Sequence, residues 1–463
     1  MFTPKYRKPI SYDYDLIVIG SGAGGGVAAQ LAASEGKKVA IIEAENVGGT
    51  CPHDSCVPTK ALLKAAETLE VVKSADAFGI KSTAASFNYR SVQAWKESAI
   101  KATGVTHDAH TFSSQNITVI KGHGHFITPW TISVGLRRYS AHQFLLATGS
   151  TVYIPAIEGL ADTGFITYKE ASRLEKIPKS LFIIGGGATA YEYAQIFAAF
   201  GTKVHVIESA MHLLPKTDVE VGDIAEAALT NRGVRVHTAA HVRLVSGKAG
   251  HKIITFEQHG QQHKIVVEEI MVASGKRPNV DIGLENAGVR YTDEGIYVTK
   301  HMQTNKSHIF AAGDVIGHHL STHVAMQEAR IAVHNMYHRK QAAMDYMALP
   351  QVYFGQPEIA TVGKTERELK MTGDIYQTAI APISILGRSI TSNYTSGFVK
   401  ITATQSGIVL GASIVAPDAS EMIGELTLAV AKRLRACDIS NTVHAFPTWS
   451  EAIRVAAANI KCI

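Results

Sequence analysis

Long apolar runs are missing from this sequence. The stretch at residues 16–19 is cut short by Gly20, far below the roughly 18 to 20 apolar residues a membrane-spanning helix requires. Cysteine is scarce too. Cys51, Cys56, Cys437 and Cys462 are too few to staple a secreted scaffold of 463 residues, and they suit a reducing compartment. Charge of one sign is also in short supply. The formal balance is +5, and no Lys/Arg cluster extends beyond residues 5–8, which gives nucleic-acid binding little support. The basic N-terminus has no apolar core segment behind it, which argues against a secretory signal and leaves a cytoplasmic address as the expectation.

What is present describes a compact enzyme-sized chain. A hydrophobic content of 46% against 18% charged residues excludes a disordered or fibrous protein, and the length calls for two to four domains. An internal repeat organises them. DLIVIGSGAGGGVAAQLAASEGKKVAIIEA, from Asp15, aligns without a gap to SLFIIGGGATAYEYAQIFAAFGTKVHVIES, from Ser180. Gly20, Gly22, Ala29, Gln30, Gly36, Lys38, Val39 and Glu43 fall on Gly185, Gly187, Ala194, Gln195, Gly201, Lys203, Val204 and Glu208.

Each copy reads as a short apolar strand, a glycine turn, an amphipathic helix closed by a glycine, and a second strand ending in a carboxylate. In such a βαβ unit the glycines let the chain approach a pyrophosphate, which lies against backbone N–H groups at the positive end of the helix, and the terminal acid binds ribose hydroxyls. A lone glycine fingerprint also occurs as a plain connection from strand to helix, but two in register, each with its acid, point to two dinucleotides. The third position differs, Gly25 in the first copy and Ala190 in the second. Glu208 would repel a 2′-phosphate, so the second site is expected to prefer NAD(H) over NADP(H), with Lys216 positioned to soften that preference. Two dinucleotides in one chain imply transfer of electrons from one to the other, commonly nicotinamide to flavin.

Further segments end apolar strands on small residues: FLLATGS at residues 144–150, MVASGKRPN at 271–279 and HIFAAGDVIG at 308–317. The first two read as domain crossovers. The third leaves Asp314 at a strand terminus, suited to a sugar hydroxyl or to a plain turn. From about Leu349 the pattern changes to strands bounded by turns, FVKITA and GIVLGASIVA, and then a helix from about Ala419, as in a separate α+β domain.

Cys51 and Cys56 follow the turn Gly48-Gly49-Thr50 and precede a helical run. Five residues of ideal helix separate Cα atoms by roughly 7.5 Å along the axis, beyond what a disulfide tolerates, so pairing calls for a distorted first turn. Pro52 and Pro58 are the candidates for causing it. A helix N-terminus and a cation such as Lys60 would favour the thiolate that exchange chemistry needs. Two reduced core cysteines, or a metal site using His53 and Asp54, remain open on this reading, although no second Cys/His pair stands at ligand spacing. His107 with His110, and His318 with His319, form no convincing metal set.

GGTC followed by CVPTK, the two fingerprints, Glu192, ATGS, AAGD and PQVYFGQPEIATVG together resemble the class I flavin-dependent pyridine nucleotide-disulfide oxidoreductases, the family of the dihydrolipoyl dehydrogenases, glutathione reductases and mercuric reductases. The likeness runs from about Tyr14 to Ile460. It implies an α/β fold with two Rossmann-like dinucleotide-binding domains and a C-terminal α+β dimerisation domain. An FAD-binding domain would occupy residues 1–150 and 276–348, an NAD(P)-binding domain 151–275 and the dimerisation domain 349–463. FAD would lie against Gly20, Gly22, Gly25, Glu43, Gly49, Thr50, Gly124, Thr148, Gly149, Gly313, Asp314 and His323, and the nicotinamide nucleotide against Gly185, Gly187, Ala190, Glu208 and Gly275. Lys60 and Glu192 would form an ion pair beside the flavin. Cys56 would be the flavin-facing thiol and Cys51 the thiol that attacks the acceptor, in a homodimer whose C-terminal domain completes the partner's site.

One departure stands out. Where the disulfide-reducing branches carry His-Pro-Thr-x-x-Glu, this chain reads Phe446-Pro447-Thr448-Trp449-Ser450-Glu451. A phenyl ring moves no proton, so Glu451, a catalytic residue in the family pattern, loses its partner, and His444 two positions earlier is expected to point elsewhere. The leading expectation is an atypical disulfide reductase. A mercuric-reductase-like metal-ion reductase, to which Cys462 near the C-terminus would relay, is the alternative, and a redox-silent flavoprotein with a binding or sensing role is the third. Cys437 is expected to be a buried helix residue.

Overall fold

The computed structural model describes residues 8–81, 86–104 and 108–463, with backbone only at 108–110. His107 and most of the basic cluster at residues 5–8 therefore lie outside the described residues. The chain forms two compact units. One comprises Met1–Pro58, Ala94–Tyr153 and Gly275–Asp345, and the other Thr59–Gln93, Ile154–Ser274 and Tyr346–Ile463. Residues 59–93 thus group away from the N-terminal segment in which the linear reading kept them. The segments expected as the nicotinamide-nucleotide and dimerisation domains fall together in one unit.

The first unit is built on a parallel sheet in the order Ile117–Lys121, Val39–Glu43, Tyr14–Ile19, Arg137–Leu146, with Ile309–Ala311 alongside the last. Leu16, Ile17 and Val18 are fully buried, the signature of a central strand covered on both faces. Burying each contributes roughly 1.5 to 3 kcal/mol. The helices Ala23–Ser34 and Thr322–Tyr337 pack so closely that a Cβ on Gly24 would lie 3.1 Å from Ala325 O. Arg137–Leu146 also pairs antiparallel with Thr131–Val134, which in turn pairs with Gly124–Thr128.

The second unit repeats the parallel plan with Arg235–His237, Lys203–Ile207, Ser180–Ile184 and Glu269–Val272, in the same order. It adds an antiparallel meander of Ala240–Lys248, His251–Gln258 and Gln261–Val267. Its C-terminal part is a five-stranded antiparallel sheet, ordered Gln351–Tyr353, Glu358–Gly363, Val409–Ala416, Phe398–Thr404, Tyr376–Pro382. The helices Ala419–Lys432, Ala436–Ser440 and Glu451–Ala458 share its apolar core, with Ile414, Leu426, Ile453 and Ala456 fully buried.

Lys400, in the strand Phe398–Thr404, is only 1% exposed, yet its Nζ lies 3.1 Å from Asp218, 3.0 Å from Glu220 and 2.6 Å from Glu366. An ammonium buried alone would be strongly destabilising, and three carboxylates offset that cost. Lys400, the largest favourable influence, holds Glu366 at about 2, well below its ordinary value of 4.5. A lowered folded-state value means stability that is fully present above pH 4.5 and lost as pH falls through about 2. Glu366→Gln is therefore expected to lower stability at neutral pH by about 1 kcal/mol, a figure discounted for the water that still reaches Glu366. The same variant should flatten the acid limb, measured as denaturant midpoints across that range.

Candidate active site

The internal repeat survives down to individual hydrogen bonds. In the first copy Glu43 Oε2 accepts from Ser21 N at 2.8 Å and Ser21 Oγ at 2.6 Å, while Oε1 accepts from Glu45 N at 2.7 Å. In the second, Glu208 Oε2 accepts from Gly186 N at 2.7 Å, and Oε1 from Ala210 N at 2.8 Å and Ser209 Oγ at 3.0 Å. Each acid is thereby fixed at the rim of its glycine turn.

The turns themselves fit a dinucleotide. Gly20 and Gly185 have φ of +96° and +113°, and a Cβ on either would lie 2.2 or 2.4 Å from the carbonyl oxygen of Ala147 or Ala273. No side chain caps the helix Ala23–Ser34 at Gly22 or the helix Ala188–Ala199 at Gly187. The amides of both 12-residue helices therefore face outward without a side-chain acceptor, where a pyrophosphate would lie. Gly25 is required by packing, since a Cβ there would come within 1.9 Å of Gly20 O. Ala190 is fully buried, so the second helix accommodates the methyl group that the first has no room for.

Within the first unit the candidate flavin residues converge. A Cβ on Gly49 (φ +71°) would lie 2.6 Å from Gly22 Cα, and Gly48 N donates to Ser21 Oγ at 3.1 Å. The turn before the cysteines therefore abuts the first fingerprint. Asp314 accepts from Ser150 Oγ at 2.5 Å and from Lys276 Nζ at 3.5 Å. Gly313 N donates to the buried Glu328 at 2.7 Å. Thr148 and Asn279 exchange hydrogen bonds, Thr148 Oγ1 to Asn279 O at 2.7 Å and Asn279 Nδ2 to Thr148 O at 2.9 Å. Gly149 and Gly275 have positive φ and open space where a Cβ would stand. Gly124 is packed by Ile132 and Ile42, a structural reason for glycine. His323 is exposed on the first turn of its helix.

The cysteine segment is broken between its two thiols, as disulfide chemistry demands. Thr50–His53 is a short helix holding Cys51, Asp54 and Ser55 interrupt it, and Cys56 opens the 18-residue helix Cys56–Lys73. Pro52 sits inside the short helix and Pro58 in the first turn of the long one, where its missing N–H is tolerated but its ring keeps a helix from running through Asp54, four residues back. Cys51 and Cys56 are both half-buried. Cys56 Sγ lies 3.6 Å from Ser55 Oγ and 3.6 Å from Thr322 Oγ1. It also stands at the electropositive end of its helix.

Lys60, one turn further along that helix, directs Nζ to Glu192 Oε1 at 2.9 Å and Oε2 at 3.0 Å, and it lies 4.4 Å over the Phe354 ring. Phe354 N completes Glu192 with a bond of 3.1 Å. Gln195 orients the same segment by accepting from Gln356 N at 2.8 Å. Thr322 beside Cys56, and Phe354 and Gln195 around the Glu192 segment, are neighbours that spacing alone did not reveal, although Phe354 and Gln356 lie in the quoted PQVYFGQPEIATVG run.

At the C-terminal end, Phe446 is 78% exposed in the single chain. Glu451 opens the helix Glu451–Ala458 and accepts from Thr448 N at 3.3 Å, a local structural role. Both nitrogens of His444 are engaged, Nδ1 with Thr442 O at 2.9 Å and Nε2 with Glu425 at 3.2 Å. Cys437 is half-buried rather than buried, because its helix Ala436–Ser440 lies at the domain surface, and Cys462 is held in place rather than lying in a frayed tail. Among the described residues, no group of three or more His, Cys, Asp or Glu is arranged to hold a metal ion. None of the described helices is long and apolar enough to cross a membrane.

Two fingerprints, a cysteine segment and a lysine–glutamate pair define a flavin- and nicotinamide-dependent thiol oxidoreductase, and the chain belongs to the pyridine nucleotide-disulphide oxidoreductases. That family's profile matches residues 14–329, and the profile of its dimerisation domain matches residues 349–457. Dihydrolipoyl dehydrogenase from Bacillus subtilis (strain 168) is 35% identical over 457 residues, covering 96% of this chain and 95% of that protein. Dihydrolipoyl dehydrogenase from Thermus scotoductus is 36% identical over 455 residues, covering 96% of each. Among solved structures, the HOCl-induced flavoprotein disulfide reductase RclA from Escherichia coli, as a Cu(II) complex, superposes with a TM-score of 0.86. It is 25% identical, with 97% of this chain and 100% of that chain covered. The protein is an FAD-dependent pyridine nucleotide-disulphide oxidoreductase with the mixed α/β fold and C-terminal dimerisation domain of that family.

Proposed function

We propose that the chain takes electrons from NADH in preference to NADPH. It passes them through Cys56 and then Cys51 to a thiol-reactive acceptor that requires no imidazole to manage its proton. FAD, when bound, supplies the two-electron link between nicotinamide and thiols. In this reading residues 1–150 and 276–348 hold FAD, 151–275 the nicotinamide nucleotide, and 349–463 the second copy of a homodimer. The observation that carries the proposal is Phe446, a phenyl ring where the family pattern has an imidazole, while the neighbouring histidine is tied to Thr442 O and Glu425. Glu208 supports NADH, because its carboxylate is fixed at the edge of the second glycine turn, where a 2′-phosphate would meet its charge.

A second reading is metal-ion reduction at the same thiols. It is favoured by Phe446, since a soft cation needs no proton donor, and by the Cu(II) complex of the structural neighbour. One experiment covers both. Anaerobic NADH titration should give a long-wavelength charge-transfer band at two-electron reduction, and a missing band with Cys56 intact would sink the thiol route. Steady-state rates with lipoamide, glutathione disulfide, Cu²⁺ and Hg²⁺, each with NADH and NADPH, then rank the acceptors. The disulfides should trail an acceptor without proton demand by roughly 100-fold or more. Fast lipoamide turnover by the native chain would overturn the assignment.

A further inference from the structure

Two thiols outside the redox segment meet in the C-terminal sheet domain, and the activity above uses neither. Cys437 lies in the helix Ala436–Ser440 and Cys462 in the tail beyond Glu451–Ala458, 25 residues on, so nothing in their spacing suggests a pair. Cys437 N donates to Cys462 Sγ at 3.0 Å, which sets the Cys462 sulfur directly against the Cys437 residue.

The surroundings hold them there. Gln377 takes the tail in both directions, its Nε2 donating to Lys461 O at 2.9 Å and its Oε1 accepting from Lys461 N at 3.0 Å. Ala436 N donates to Gly407 O at 2.8 Å, fixing the start of the helix. A Cβ on Gly407 would lie 2.8 Å from Cys462 Sγ, so glycine there leaves room for the sulfur. Both cysteines are half-buried, which leaves a small oxidant access.

We propose that Cys437 and Cys462 are a second redox pair, a modification site that hydrogen peroxide closes into a disulfide bracing the C-terminal segment. Peroxide oxidises one thiol to a sulfenic acid and leaves as water. The other thiol then attacks that sulfur, the S–S bond forms, the S–O bond breaks, and a second water departs. The two thiols supply the two electrons that reduce the peroxide. Burial pushes the Cys462 thiol up, and the Cys437 thiol beside it raises it further. The pair therefore answers to sustained oxidant rather than to brief exposure. The closed loop contains Phe446 and Glu451, so oxidation ties the acceptor end of the chain to the sheet.

The test uses the native full-length holoenzyme, treated with hydrogen peroxide, alkylated, digested with trypsin and mapped without reduction. The expected product is the peptide of residues 436–454 joined to residues 462–463, released by dithiothreitol and absent from Cys437→Ser and Cys462→Ser. Recovery of both cysteines alkylated, or over-oxidised without a crosslink, would overturn the proposal. Residues 462–463 joined instead to the peptide carrying Cys51 and Cys56 would also overturn it, in favour of a tail that relays to the redox segment. A disulfide within the Cys51–Cys56 peptide has a different mass and does not confuse the reading.

Discussion

Replacing Phe446 by His is expected to raise turnover of lipoamide and glutathione disulfide by roughly 100-fold or more, the low end of what a positioned acid/base contributes. The site has room for the change. The Phe446 ring is 78% exposed in the single chain, and even a Cβ on Gly387 would stand 3.5 Å from it, so the smaller imidazole meets no clash within its own chain. Glu451, whose Oε2 accepts from Thr448 N, would regain the imidazole partner that the family pattern gives it. The gain should be confined to acceptors that need a proton. NADH-dependent reduction of the bound flavin and turnover of Cu²⁺ should be unchanged, while disulfide turnover should acquire a pH limb near about 6.5, where imidazole titrates. Phe446→Ala separates this from simple opening of the site. Equal gains in Phe446→Ala and Phe446→His, or a flat pH profile in the latter, would show that proton handling is not what limits the native chain.

The parts of the molecule that were readable in advance are those whose chemistry is local. A glycine turn between an apolar strand and a helix must appear in the sequence, because no other residue fits at φ near +96° with a carbonyl oxygen 2.2 Å from where its Cβ would stand. Both dinucleotide folds and their acids were therefore legible from residues 15–44 and 180–209. The strands Phe398–Thr404 and Val409–Ala416 and the helix Ala419–Lys432 were legible for a similar reason, since apolar runs bounded by turns mark buried elements. The helix break between the cysteines was legible from the two prolines, Pro52 and Pro58. It falls at Asp54 and Ser55, where Pro58, four residues beyond Asp54, offers that carbonyl no N–H and crowds it with its ring.

What escaped was set by long-range contact. The meander of Ala240–Lys248, His251–Gln258 and Gln261–Val267 carries polar residues on its open face and gives no strong alternation. Lys400 reads as a surface lysine, yet it is buried because three carboxylates from distant segments converge on it. Thr322 reaches Cys56 across 266 positions, and Cys437 reaches Cys462 by packing alone. The Lys60–Glu192 pair, 132 positions apart, was available only through resemblance to a known family, and the geometry now supplies its reason. Glu192 lies on the helix of the second fingerprint, and the segment carrying Phe354 donates to it from below the Lys60 ammonium.

Separate serine substitutions of the two cysteines are expected to cut acceptor turnover by roughly 10³-fold or more each, because a hydroxyl neither forms the exchangeable bond nor becomes a comparable nucleophile near neutral pH. Their spectra should differ. Cys56 opens a long helix, with hydroxyls of Ser55 and Thr322 each 3.6 Å from its sulfur, an arrangement that stabilises an anion at that atom. Cys51 lies in the separate short helix Thr50–His53, beyond the break. Cys51→Ser should therefore retain a long-wavelength charge-transfer band, and retain it without reductant, since the Cys56 thiol no longer has a disulfide partner. Cys56→Ser should show no such band at any stage of an NADH titration. Both variants should still pass electrons from NADH to the flavin, which divides entry from exit. Native turnover of Cu²⁺ in Cys51→Ser would place metal reduction outside the thiol route, and native turnover of any disulfide in either variant would remove the pair from the pathway altogether. The first outcome would separate the two acceptor classes by route, because only disulfides then require the pair whose proton handling Phe446 leaves unassisted.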